Sequence, residues 1–306
     1  MSNGKTVTIR AGRYRVPVSN PDKPLFPADG ITKLDLAEYY AGIAPHILRH
    51  LRGRPLTVER YPDGIDKEGF VQKRVTGNAP EWVTTASVQS QQGSLDQVVC
   101  DKAATLVFLA DQAAIALHPW LSRHDRPDHP DQLIFDLDPP GDDFEPVRAG
   151  AFALRELLDE LRLSAFVKTS GSRGLHVLVP LDRKADFDTV RAFAGDVASV
   201  LVTRQPERFT TEVRKDARNG RLFVDTLRNA YAQTAVAPYS VRARPGAPVA
   251  TPLDWDELAD ERIRSDSFRI GDMRERLEQR GDPWWHISRR GHSLKPARKR
   301  LDRMKA

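Results

Sequence analysis

Apolar residues along this chain recur at two spacings, every second residue over short runs and every third or fourth over longer ones. Thr6 to Arg10 alternates like a short strand. Leu36, Tyr40, Ile43, Ile47 and Leu51 share one face of a helix that Thr32 can cap, with Pro45 as an expected kink inside it. Pro55 to Arg60 and Phe70 to Arg74 read as strands joined through Tyr61-Pro62-Asp63-Gly64. Ala103 to Ala116 is Ala-rich and predicts a helix, followed by a polar crossing over residues 122–132. The run Leu133-Ile134-Phe135 then leads into Asp136-Leu137-Asp138 and is stopped by Pro139 and Pro140, which predicts a strand inside a sheet. Val147, Ala151, Leu154, Leu158 and Leu161 mark an amphipathic helix. Strands are predicted at Ala165 to Thr169 and Leu175 to Leu181, around the loop Ser170-Gly171-Ser172-Arg173-Gly174. A helix over Asp188 to Gln205 and a strand over Arg221 to Asp225 follow. Ala237 to Gly246 reads as extended, with Arg242 and Arg244 on one face, and Trp255 to Leu258 and Asp272 to Gln279 read as helices. From Ser288 onward eight Lys or Arg stand against one Asp with no apolar period, so a basic, disordered tail is expected.

Composition narrows the class without naming it. The chain has 306 residues, 40% hydrophobic and 29% charged, enough to bury an ample core. No apolar run approaches the ~20 residues that a membrane helix needs. No apolar signal core follows Met1 to Lys5, and the single cysteine, Cys100, excludes an internal disulfide or a Cys-based zinc site. A cytoplasmic protein with no membrane partner is the expectation. The net charge of +5 is small for this length, so its distribution matters more. Arg204, Arg208, Arg214, Lys215, Arg218 and Arg221 crowd a stretch whose acids are Glu207, Glu212 and Asp216. Such a run serves as a solvated face or as a nucleic-acid groove.

The candidate chemistry begins at Asp136 and Asp138. Side chains two apart on a strand leave the same face, about 6–7 Å from each other along the chain. Two carboxylates that close repel, and burying either one unpaired costs several kcal/mol. A pair of hard divalent cations would resolve this, and two such ions commonly serve phosphoryl transfer; acids at a strand end that meet water or Arg are the plain alternative. Asp225 supplies a third acid at the end of another predicted strand. The 170–174 loop combines glycines, hydroxyls and one cation, as a phosphate cradle or as an ordinary hairpin turn, with His176 just beyond it. Lys33 stands in a first helical turn, where a cation opposes the helix dipole unless an anion binds there or the amine is simply solvated.

The pieces Asn20-Pro21-Asp22-Lys23, Leu133 to Pro140, Ser170 to His176, Phe223-Val224-Asp225 and Ala237 to Leu258 together resemble the polymerase domain of bacterial DNA ligase D, a branch of the archaeo-eukaryotic primase superfamily. The resemblance runs from roughly residue 15 to residue 284 in the family's order. It implies an α/β (α+β) fold, a primase-like catalytic core of mostly antiparallel sheets flanked by helices. It implies one catalytic domain over residues 1–287, in which 1–130 face the DNA end and template and 131–287 carry the metal and nucleotide core, followed by the 288–306 tail. The implied activity is template-directed nucleotidyl transfer that fills short gaps or extends DNA ends with NTPs or dNTPs, using two Mn²⁺ or Mg²⁺ ions, in repair of the non-homologous end-joining type.

By the same resemblance Asp136, Asp138 and Asp225 would be catalytic metal ligands. Ser170, Ser172, Arg173 and His176 would hold the incoming triphosphate, with Arg242 and Arg244 near the nucleotide or template. Asn20, Lys23 and Lys33 would bind the 5′-phosphate across a gap, which would give Lys33 its reason. Phe70 would pack on the templating base, and His118 would lie near the active site. Expected partners are gapped or broken DNA, an end-binding Ku-type protein and a separate ligase, with the protein on the nucleoid when DNA-bound. No ligase or nuclease signature occurs in the sequence, so a stand-alone member is expected. A non-catalytic end-binding module that recruits a ligase, and a primase that starts chains, are the competing readings. Three departures from relatives stand out: Val71 follows Phe70 where some carry a second aromatic, Glu59 replaces a cation, and Arg173 replaces a lysine.

Overall fold

The computed structural model describes residues 5–75, 77–90 and 93–305. The alternating N-terminal residues pair as an antiparallel hairpin, β1 (Thr6–Ala11) with β2 (Tyr14–Ser19). A short pair, β3 (Pro24–Phe26) and β4 (Ile31–Thr32), leads into α1 (Lys33–Leu51). The apolar stripe of α1 is buried as its spacing predicts, and Pro45 is accommodated within it. Then come β5 (Pro55–Arg60), β6 (Phe70–Gln72), β7 (Thr84–Ser90), β8 (Gly93–Val99), α2 (Ala103–Asp111) and β9 (Ala114–Pro119). The following stretch contains β10 (Gln132–Asp138), α3 (Glu145–Glu160), β11 (Phe166–Thr169), β12 (Leu175–Pro180), α4 (Phe187–Arg204), β13 (Phe209–Thr210) and β14 (Leu222–Asp225). It is completed by β15 (Pro252–Leu253), α5 (Trp255–Leu258), α6 (Met273–Arg280) and α7 (Leu294–Lys305).

These elements form two compact units. One gathers the described residues up to Trp120 with Thr234–Ala250 and Phe268–Gly281. Its sheet, among the described residues, runs β6-β5-β8-β7 with β9 also on β5, all antiparallel. Helices α1 and α2 pack together beside the β1–β2 hairpin over a common apolar core. The other unit comprises Leu121–Gln233, Thr251–Ser267 and the described residues from Asp282 on. Its sheet, among the described residues, has the order β13-β14-β10-β12-β11-β15, with only the β13–β14 pair parallel. Helices α3 and α4 pack on this sheet and on each other. The mixed, mostly antiparallel fold class expected from the sequence is the one observed.

Within 131–287, residues 234–250 and 268–281 group with the first unit. Three expectations are corrected. The Ala-rich helix stops at Asp111; Ala113 takes a left-handed φ of 55°, and Ala114–Pro119 pairs with β5 instead. Sheet pairing of a buried run there overrides the helical preference of alanine. Residues 237–246 are not an extended run: Tyr239 has a φ of 65°, the Arg244 N–H donates to the Arg242 carbonyl at 2.9 Å, and the ladder is reduced to a single bridge, Val241 to Val249.

The basic tail is not disordered. Leu294, Ala297 and Leu301 recur at i, i+3 and i+7 and are buried, and α7 packs on α4. Pro296 lies in the first turn, where its missing N–H leaves no hydrogen bond broken. Asp196 of α4 pairs with Arg298 and, at 2.6 Å, with Lys305. Among the described residues no helix is long and apolar enough to cross a membrane.

Candidate active site

Four residues line up across four neighbouring strands of the second unit. Lys168 on β11 is in register with His176 on β12, His176 with Asp136 on β10, and Asp136 with Asp225 on β14. Residues directly opposite in adjacent strands share a face, and Asp138, two positions along β10, shares it too. Leu133, Phe135 and Leu137 alternate with the acids and are fully buried. The sequence therefore dictates that one side of β10 is core and the other is acidic. Asn229 fixes the turn after Asp225 against β10, exchanging hydrogen bonds with the Ile134 N–H at 2.9 Å and the Ile134 carbonyl at 2.7 Å.

The acids do not share one environment. His176 Nε2 lies 3.4 Å from Asp136 Oδ1, and Arg228 Nε lies 3.7 Å from Asp136 Oδ2. Burial of Asp136 opposes its ionisation, but His176, Arg228 and Lys168 more than offset this and hold the carboxyl below the usual range. Burial, with the Lys168 charge, brings His176 down to about 4, so at neutral pH the ring is uncharged. Asp138 is pushed up to about 6 by burial and then by the charges of Asp136 and Asp225. Asp225 is also raised by burial, while its Oδ1 accepts the Leu227 N–H at 2.6 Å. Arg218, stacked 3.9 Å from the Phe223 ring centroid, adds positive potential beside Asp138 and Asp225.

The Ser170–Gly174 loop lies between β11 and β12 and is held by its own hydrogen bonds. Ser170 is buried, and its hydroxyl accepts the Ser172 N–H at 3.3 Å and the Gly174 N–H at 3.1 Å and contacts Ser265 Oγ at 3.1 Å. Ser265 in turn donates to the Gly174 carbonyl at 2.8 Å. Ser170 therefore staples the loop from within. Ser172 is half-buried and Arg173 is exposed, its guanidinium near the Pro139 and Gly141 carbonyls. Gly174 is required by close approach, because a Cβ there would collide with the Leu137 carbonyl oxygen.

The donor set suits hard divalent cations: three carboxylates on adjacent strands, two of them raised in pKa by burial and mutual repulsion. Among the described residues no group of three or more His, Cys, Asp or Glu is already gathered into a metal cage. The protein's own cations, Arg228 and Lys168, partly compensate the acids instead.

The other expected site residues lie in the first unit. Asn20, Lys23 and Lys33 are brought together by the backbone: the Lys23 N–H donates to the Asn20 carbonyl at 3.0 Å and the Lys33 N–H to the Lys23 carbonyl at 2.9 Å. Lys23 pairs with Asp63 at 2.8 Å. Lys33 is buried, with Nζ 3.5 Å from Asp111 and 3.3 Å from Ser19 Oγ. Asp111 thus explains its placement without an external anion, and Asp35 closes a capping box with Thr32 at the helix start. Phe70 is 48% exposed beside Val71, with the Arg60 guanidinium 5.3 Å from its ring centroid. His118 Nε2 lies 3.0 Å from Glu59 Oε1. The His118 ring at that distance outweighs burial and, joined by the charges of Arg242 and Arg244, holds Glu59 below the usual carboxylate range.

Sequence reasoning missed Lys168, Arg228, Asn229 and Ser265. Lys168 carried the one available signal, a lysine between the apolar residues of a short central strand.

Comparison with known proteins places this geometry among relatives. The family model described as the LigD primase-polymerase domain matches residues 32–284. The Mycobacterium tuberculosis multifunctional non-homologous end joining DNA repair protein LigD is 37% identical over 285 residues, covering 88% of this chain and 38% of that protein. The Bacillus subtilis bifunctional non-homologous end joining protein LigD is 32% identical over 271 residues, covering 88% of this chain and 43% of that protein. The chain therefore spans well under half the length of these relatives. The polymerase domain of Mycobacterium tuberculosis ligase D, solved in complex with DNA, superposes with a TM-score of 0.86 at 35% identity, covering 91% of this chain and 99% of that one.

Proposed function

The chain belongs to the LigD primase-polymerase domain family, and on that premise we propose that it is a template-directed nucleotidyltransferase that fills short gaps or extends DNA ends in end-joining repair. The observation that carries the reading is the register of β10 and β14, which sets Asp225 directly opposite Asp136. It supports a site where Asp136, Asp138 and Asp225 would hold two Mn²⁺ or Mg²⁺ ions. When bound, such ions supply charge neutralisation for phosphates and acidify an attacking hydroxyl.

The chain's own residues take the remaining tasks. Arg173 is exposed at the tip of its loop, suited to bidentate contact with phosphate oxygens, and Ser172 offers a hydroxyl beside it. His176, uncharged and seated next to Asp136, orients that carboxylate. Arg242 and Arg244 would meet the nucleotide or template, and exposed Phe70 offers a flat apolar face to a templating base. Asn20, Lys23 and Lys33 would take the 5′-phosphate. DNA is the proposed partner, with a ligase and a Ku-type protein acting beside it.

The reading is tested by mixing the protein with Mn²⁺ or Mg²⁺, labelled nucleotides and a duplex carrying a short gap and a 5′-phosphate. The primer should lengthen by template-matched additions. No lengthening with either ion, at any short gap, would leave only a silent end-binding role.

A further inference from the structure

A cavity in the first unit has no part in that chemistry. Helices α1 and α6 flank this cavity of about 760 Å³, within the size range of ligand-binding clefts. Its walls are apolar, with Ile31, Ile43, Ile270, Met273 and Leu277 contributing, and Tyr39 and His46 adding rings. Along α1 the lining residues Asp35, Glu38, Gly42 and His46 form one stripe. At 1.5 Å per residue that stripe runs about 16 Å, three helical turns.

Two independent observations indicate what the groove takes. The first is charge. Asp35, Glu38 and Glu278 line the cavity against one cation, Arg274, which pairs with Glu278 at 3.0 Å, while Asp35 also closes the capping box with Thr32, so the lining keeps a net negative charge. A lining of net negative charge repels phosphate, so nucleic acid and nucleotides are disfavoured here even though the chain is basic overall. The second is Gly42. Glycine is the least favourable residue after proline in a helix interior. A Cβ at Gly42 would meet nothing within 4 Å, so nothing within this fold asks for glycine there. Gly42 lines the cavity and adds no side chain to it.

We infer that this groove is a docking site for a helical segment of a partner protein, with large apolar side chains along one face and Lys or Arg at the flanks. An apolar groove between two helices, three turns long, is the shape into which an amphipathic helix lays its apolar face. The acidic lining selects a basic segment. The chain's own basic amphipathic helix, α7, already buries Leu294, Ala297 and Leu301 and does not fill this role.

The probe is a labelled three-turn peptide with Leu on one face and Lys on the other, compared by fluorescence anisotropy with its Leu/Glu counterpart. The Leu/Lys peptide is expected to bind about ten-fold or more tightly than the Leu/Glu peptide. Gly42→Leu, which fills the groove, and Glu38→Lys, which reverses a charge in its lining, should each weaken binding about ten-fold. Gly42→Ala should raise the melting temperature, showing that the position accepts a side chain. Primer extension should be unchanged in Gly42→Leu, so loss of this site is distinguishable from loss of the polymerase site. Equal binding of both peptides, or unchanged binding by folded Gly42→Leu, would overturn the inference. A concentration-dependent dimer abolished by Gly42→Leu, with no peptide binding, would overturn it in favour of a second copy of this chain.

Discussion

Asp136 on β10 and Asp225 on β14 are direct cross-strand partners. Like charges so placed cost stability, and Asp138 joins them with its carboxyl raised to about 6 by burial and by these two neighbours. The metal-free protein therefore carries electrostatic strain that a bound divalent cation would relieve. Asp138→Asn, measured by thermal unfolding in chelator at neutral pH, should be more stable than wild type by about 1–2 kcal/mol. Added Mn²⁺ should then stabilise the variant far less than wild type. A variant with unchanged or lower stability in chelator would mean that the acids do not repel as described.

The Ser170–Gly174 loop depends on backbone contact with β10. Gly174→Ala places a methyl group against the Leu137 carbonyl oxygen, and the loop must shift to admit it. The expected cost is about 2–3 kcal/mol of stability, together with a raised KM for nucleotide and a smaller change in kcat. Steady-state kinetics alongside denaturant unfolding checks both, and a variant with wild-type KM would show that the loop does not seat the triphosphate.

Lys33 and Asp111 give the 5′-phosphate proposal a sharp test. Asp111 lies 3.5 Å from the Lys33 amine, so it competes with any phosphate drawn there. Removing the 5′-phosphate from a gapped duplex should weaken wild-type binding several-fold. Lys33→Met should bind both duplexes alike, and Asp111→Asn should widen the preference. Equilibrium titrations at one fixed salt concentration decide the matter, because phosphate contacts are strongly salt-dependent. A wild-type protein indifferent to the 5′-phosphate would remove this role from Asn20, Lys23 and Lys33.

The C-terminal helix contributes to the second unit's core. Leu301 is fully buried, and Leu301→Ala should cost about 2–4 kcal/mol in denaturant unfolding. Backbone amides of α7 should exchange slowly in wild type. Fast exchange throughout 294–305, with no cost from Leu301→Ala, would restore the picture of a free basic tail.

How much of this was legible beforehand depends on which interactions are local. Asp136 and Asp138 could be placed on one face because strand alternation is a property of the chain itself. Asp225 could be nominated as their partner, but its register opposite Asp136 is a non-local pairing set by β14 and by Asn229 anchoring Ile134. Lys168 was passed over because a lysine ordinarily signals solvent, whereas here it is 1% exposed and answers the charge of Asp136. Lys33 looked misplaced only while Asp111, distant in sequence, was out of view. In α7 dense charge and Pro296 hid three apolar residues whose spacing was helical all along. In the stretch after Asp111, alanine content spoke for a helix while pairing with β5 decided for a strand.

The most direct test of the central claim is the initial rate of nucleotide incorporation by Asp225→Asn on a gapped, 5′-phosphorylated duplex with saturating Mn²⁺. The substitution keeps shape and removes one charge from the three-acid patch. The rate should fall by about three orders of magnitude, some 4 kcal/mol in the barrier, while DNA binding is retained. A rate within about two-fold of wild type would mean that Asp225 and Asp136, though paired in the sheet, do not act in one site.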